Sequence, residues 1–145
     1  MTLSLDNSLL HQLHRASQVA SERLANELSD GALTPRQIIV LAAIAVAEGA
    51  SQTALVDATG VDRSTMADII KRLLQRGLLS RRRTKEDARA YAVKLTEAGR
   101  RTLETAAPVM ERVELEMLAT IPAKKRAELL AMLRILAGQD KKSTV

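Results

Sequence analysis

From Leu5 to Leu28 the apolar residues Leu5, Leu9, Leu13, Ala16, Ala20, Leu24 and Leu28 return every third or fourth position with polar groups between them, the period of an amphipathic helix. The polar cluster Ser29-Asp30-Gly31 is expected to end it. A helix of about 24 residues spans roughly 36 Å, more than a small domain covers, so part of this stripe calls for a partner helix. Thr34-Pro35-Arg36-Gln37 then reads as a helix start, with Thr as N-cap, Pro at the first helical position and Gln placed for a capping box. The run IIVLAAIAVAEG after it is almost wholly apolar, which predicts a central helix stopping at Gly49. Ser51 can cap a third, short helix through Thr59, with Leu55 and Val56 inward and Gly60 as its break.

After Val61 and Asp62, the segment RSTMADIIKRLLQRG puts Met66, Ile69, Ile70, Leu73 and Leu74 on one stripe before Gly77 stops it. The period then changes. LLSRRR and AYAVKL flank TKEDAR, and the second alternates with Tyr91, Val93 and Leu95 on one side, which predicts a two-stranded ribbon with a charged tip. Thr96-Glu97-Ala98-Gly99 opens another long helix with Leu103, Ala107, Met110, Val113 and Met117 inward and a bend expected at Pro108. Ile121-Pro122 restarts the chain into a last helix whose Leu129, Leu130, Leu133 and Leu136 form an apolar face before Gly138.

Composition narrows what such a chain can do. With 145 residues, 46% of them hydrophobic, it suits one domain with a core of its own. It contains no cysteine, which removes disulfides, thiolate nucleophiles, thiol redox sensing and Cys-ligated metal centres. One tyrosine is the whole aromatic content, so stacking platforms for single strands are excluded and the core must be aliphatic. No basic leader or run of about 18 apolar residues is seen, so a cytoplasmic protein without a membrane span is expected. The net charge is +5, and the nine basic and four acidic residues between Gly60 and Ala90 account for all of it. A positive field confined to one segment is what a nucleic-acid footprint requires.

That segment is a helix, a short turn containing Gly and a second helix, the arrangement that lays the second helix in the DNA major groove. Helical pairs of this spacing also occur as plain structural hairpins. The basic residues directly after the second helix favour the DNA reading, because they supply phosphate and minor-groove contacts on its flank.

GVDRST at the head of the second helix, LLQRGLLSR leading into the first strand, Asp87-Ala88-Arg89 in an Asp-x-Arg pattern and KLTEAGR from Lys94 resemble the MarR-type winged helix-turn-helix transcriptional regulators. The resemblance covers nearly the whole chain. It implies a mostly α fold with a small two-stranded β wing, a single domain over 1–145 with 1–31 and 96–145 as dimerisation helices, and a DNA-binding lobe over 34–95. It also implies an obligate homodimer in which the first and last helices interleave, on a pseudo-palindromic double-stranded operator, and a repressor released by a small organic ligand. Arg63, Ser64, Thr65, Asp68 and Lys71 would face the groove, and Arg81, Arg82, Arg83, Lys85, Asp87 and Arg89 would form the wing's contacts. Arg89 would enter the minor groove while Asp87 orients the loop. Asp68 departs from the basic or neutral residue expected there. A carboxylate can accept from cytosine N4 but is repelled by phosphate, and a salt bridge to Arg72 at i+4 is the favoured role.

Other chemistry is thin. His11 and His14 at i,i+3 are half of a metal site at most, with Asp6, Glu22 or a partner subunit as conceivable completions, and they are read as surface or interface residues. No phosphate-cradling loop, paired acid motif or Ser-His-Asp order suggests an enzyme, and no cofactor is expected. Met110, Met117 and Met132 suit either an adaptable core or a ligand pocket. The rival function is a helical dimeric scaffold whose basic ribbon docks on an acidic partner protein.

Overall fold

The computed structural model describes residues 3–29, 33–84 and 91–139. Within them, five of six helices start at a side chain that accepts a hydrogen bond from the helix's own backbone, satisfying N–H groups that have no partner inside the helix. Ser8 caps α1 (Leu9–Glu27), Thr34 caps α2 (Pro35–Val46), Ser51 caps α3 (Gln52–Thr59), Asp62 caps α4 (Arg63–Gln75) and Thr96 caps α5 (Glu97–Leu118). Only α6 (Ala123–Leu136) lacks a side-chain cap. At α2 the capping box is complete: Gln37 N donates to Thr34 Oγ1 at 3.3 Å and Thr34 N to Gln37 Oε1 at 3.0 Å.

Helix α1 corrects the expected span. It begins at Leu9, not Leu5, because Ser8 Oγ accepts from His11 N, and Leu5 lies in a turn whose carbonyl takes the Ser8 N–H at 3.2 Å. It ends at Glu27, with Leu28 already extended, so its 19 residues span about 28 Å. Helix α2 likewise stops at Val46, short of Gly49.

Strands β1 (Ala50–Ser51), β2 (Leu79–Arg83) and β3 (Tyr91–Leu95) form an antiparallel sheet in the order β1-β3-β2. The expected two-stranded ribbon thus gains a third strand, since Ala50 and Ser51 pair with Val93 and Ala92. Two residues are too short to show alternation, which is why the sequence pattern misses them.

The core is aliphatic. Leu24 of α1, Val40, Leu41 and Ile44 of α2, Leu55 of α3, and Met66 and Leu73 of α4 are fully buried, and Leu79, Val93 and Leu95 close it from the sheet. On α5 the buried positions are Gly99, Ala106 and Val113, with Leu103 and Met110 half-buried against the same core. Pro108 lies inside α5 and does not end it.

The joint between the sheet and α5 is tight. Thr96 Oγ1 donates to the Gly77 carbonyl at 2.6 Å, Thr96 N donates to the Leu78 carbonyl at 3.1 Å, and a Cβ on Gly99 would stand 2.1 Å from that Leu78 oxygen. The segment after α4 and the first turn of α5 therefore touch backbone to backbone, which only glycine allows. Two ion pairs tie helices across the fold, Arg112 with Glu27 of α1 and Arg100 with Glu48 just beyond α2.

Two surfaces stay apolar. On α1 only Leu24 is buried, while Leu9, Leu10, Leu13 and Val19 are exposed, and α6 buries no residue at all. Leu130, Met132, Leu133, Ile135 and Leu136 of α6 are exposed to solvent.

Candidate nucleic-acid interface

The two faces of α4 divide cleanly. Met66, Ile69, Ile70 and Leu73 are buried, and Arg63, Ser64, Asp68, Lys71 and Arg72 are exposed on the other side, as a 3.6-residue period demands. Gly60 breaks α3 with a left-handed φ of 71°, and Val61 and Asp62 lead into α4, so α3 and α4 form a helix-turn-helix pair.

At the head of α4 the Asp62 carboxylate serves three donors. Oδ1 accepts from Thr65 N and from Ser64 Oγ, each at 2.9 Å, and Oδ2 accepts from Thr65 Oγ1 at 2.7 Å. The backbone N–H of Thr65 first, then its hydroxyl and that of Ser64, favour the ionised form and lower the Asp62 pKa to about 2. Both hydroxyls expected to face a base edge are thus already donating, which leaves their lone pairs as the free hydrogen-bonding sites. Asp68 pairs with Arg72, Nε to Oδ2 at 2.9 Å, the i,i+4 bridge favoured from the sequence. Both side chains are well exposed, so this pair adds only about 0.3–0.5 kcal/mol to the helix.

The ribbon changes environment along its length. Leu79, Val93 and Leu95 are buried at its base, and farther out the same face carries Arg81, Arg83 and Tyr91. Arg82 alternates onto the opposite face, across from Ala92. Arg81 and Arg83 stand over the Tyr91 ring, with guanidinium carbons 4.7 and 5.9 Å from its centroid. Lys71 of α4 and Arg81 of β2 line one groove of about 310 Å³ with Gln52 and Gln75, over Ala67, Ile70 and Leu74. The fold therefore brings cations of the helix and of the strand to one surface. Lys85, Asp87 and Arg89 lie outside the described residues.

Three contributors are not evident from local sequence pattern. Asp62 was legible in principle as a polar residue ahead of a periodic apolar run, but Thr65 stands where a capping box would have Glu or Gln. Tyr91 read only as a strand residue, because its arginine partners come from the other strand. Gln52 reaches the groove from α3, a helix read only for its core positions. Among the described residues no group of three His, Cys, Asp or Glu stands together, and no helix is long and apolar enough to cross a membrane.

Comparison with known proteins agrees with this geometry. The MarR family model matches residues 33–90, the stretch that holds α2, the helix-turn-helix pair and strands β1 and β2. The transcriptional regulator HosA of Escherichia coli is 33% identical over 132 residues, covering 91% of this chain and 96% of its own length. Among solved structures, the PcaV transcriptional regulator of Streptomyces coelicolor in complex with its natural ligand superposes with a TM-score of 0.87 at 28% identity, covering 95% of this chain and 97% of its own. The transcriptional repressor CouR bound to a 23-mer DNA duplex gives 0.80 at 29% identity, covering 94% and 99%. With its helix-turn-helix and ribbon flanked by long helices, and relatives that match 91% and 95% of its length, this chain belongs to the MarR family of winged helix-turn-helix transcriptional regulators.

Proposed function

We propose that the protein is a cytoplasmic transcriptional repressor that binds a pseudo-palindromic operator as a homodimer and is released by a small organic ligand. The observation that carries this reading is the coincidence of the whole net charge with α4 and the ribbon, on a scaffold that superposes on a repressor bound to a DNA duplex. Each protomer lays α4 in the major groove, where Arg63, Ser64, Thr65 and Lys71 face base edges and phosphates, while Arg81, Arg82, Arg83, Lys85 and Arg89 serve the backbone and minor groove beside it. Asp68 holds Arg72, and Asp87 orients the wing loop. The apolar faces of α1 and α6 supply the dimer contacts, so that 1–31 and 96–145 assemble around the two 34–95 lobes. Its role is binding, with no catalytic step. Likeness to a regulator solved with its natural ligand supports a small molecule as the release signal, and a chain without cysteine has no thiol switch.

Electrophoretic shift and footprinting on the region upstream of the protein's own gene test this reading. Protection should repeat at half-site centres about one helical turn, roughly 10 base pairs, apart. A protein that stays monomeric at micromolar concentration, or that prefers single strands to duplex, overturns it.

A further inference from the structure

We propose that Tyr91 is a positioning residue of the DNA interface, its ring holding Arg81 and Arg83 in place as a paired phosphate clamp. The inference rests on the DNA-binding reading above and adds a residue to it. Tyr91 is the sole aromatic side chain in 145 residues, and it is not spent on the core: 36% of it remains exposed. Register explains its neighbours. Arg83 is the direct cross-strand partner of Tyr91, and Arg81, opposite Val93, is the diagonal neighbour on the same face. Their guanidinium carbons, 4.7 and 5.9 Å from the ring centroid, both fall within the roughly 6 Å reach of a cation–π contact. Neither arginine forms an ion pair among the described residues.

An aromatic face holds a guanidinium without consuming its N–H donors, which lie in the guanidinium plane and point outward, where a phosphate can take two of them. A carboxylate in the ring's place would hold the arginines as firmly but would occupy those donors and cancel their charge. Arginine pays for phosphate binding mainly in lost rotamer freedom, and stacking removes part of that loss beforehand. Because Arg81 also lines the groove with Lys71, the clamp continues into the exposed face of α4.

Phosphate contacts are independent of sequence, so the test needs no operator. The full-length protein is titrated into a fluorescein-labelled duplex of mixed sequence, about 25 base pairs long, and anisotropy is followed from about 50 to 200 mM salt. Tyr91→Leu is expected to weaken binding about tenfold while leaving the salt slope unchanged, since the same charges meet the same phosphates. Arg81→Ala or Arg83→Ala should each lower the slope by about 0.9. Tyr91→Phe, which keeps the ring, should bind within about twofold of wild type. In the Arg81→Ala/Arg83→Ala background, Tyr91→Leu should change nothing further.

The proposal is overturned if Tyr91→Leu binds like wild type, if Tyr91→Phe fails as Leu does, or if Leu weakens binding equally without the two arginines, which would mark a fault of the sheet. Failure of the wild-type protein to bind this duplex at low salt removes the functional reading itself, and the proposal with it.

Discussion

Asp62 holds the first turn of α4 with one carboxylate, and its low pKa makes that hold dependent on pH in a stated direction. A carboxyl group lowered from its ordinary 3.8 to about 2 contributes stability that is fully present above 3.8 and is lost as pH falls through about 2. Carbon NMR titration of the side chain should therefore show its inflection near 2, and an inflection near 3.8 would mean that the three hydrogen bonds do not persist in solution. Asp62→Ala should lower the melting temperature, with Asp62→Ser retaining most of it because a hydroxyl still caps. Gly99 is the second residue whose role is set by local geometry. Alanine there would press its Cβ to 2.1 Å from a backbone oxygen that is itself held by Thr96 N, so Gly99→Ala should cost about 3 kcal/mol or more. Gly77→Ala, where φ is 70° but nothing lies within reach of a Cβ, should cost about 1–2 kcal/mol. Thermal unfolding of the two variants side by side checks the order. KLTEAGR stands out in the sequence as a motif, but the reason for its glycine lies in a carbonyl 21 residues upstream, a contact that no local pattern displays.

The helices were readable because their apolar stripes are long enough to repeat. Thr34 and Ser51 cap where the sequence places them, α5 opens at Thr96 as expected, and Met66, Ile69, Ile70 and Leu73 all turn inward. Misreadings fall at places where a stripe has another cause. Leu5 continues the period of α1 but precedes Ser8, whose side chain starts the helix, and the two-residue β1 has no period to read. In α6 the apolar face is legible from its spacing, while a cover from a second chain is implied only by the family resemblance, since a stripe shows what must be buried and not by what. That element carries a prediction of its own. Leu133→Glu places a charge on the exposed face of α6 and should convert the dimer to a monomer in sedimentation at micromolar concentration, with the helical content of the chain retained. A dimer of undiminished strength would put the dimer contacts elsewhere.

Across the whole molecule, control of DNA affinity by a ligand requires that the ligand distinguish two arrangements of the lobes. About 3 kcal/mol of preference changes operator affinity on the order of 100-fold, and by reciprocity the ligand must bind the operator-bound dimer more weakly by the same factor. Calorimetric titration of an effector into free and DNA-bound protein checks the equality, and unequal factors would mean that the two sites are not linked through one equilibrium. Chemistry at the groove is legible from charge placement, but the Thr96–Gly99 joint is not, because its contacts reach back to Gly77 and Leu78. That joint has no slack: Thr96 grips Gly77 while α5 rests on the Leu78 carbonyl. The 22 residues of α5 extend about 33 Å from it, so if α5 tilted as a rigid arm, the base of the wing would sit at its fulcrum. A tilt of about 10° would move the far end by roughly 6 Å. The same tilt would turn the base of the wing through the same angle while scarcely displacing it, so a wedge far along α5 would re-aim the DNA-reading surface and not slide it along the duplex.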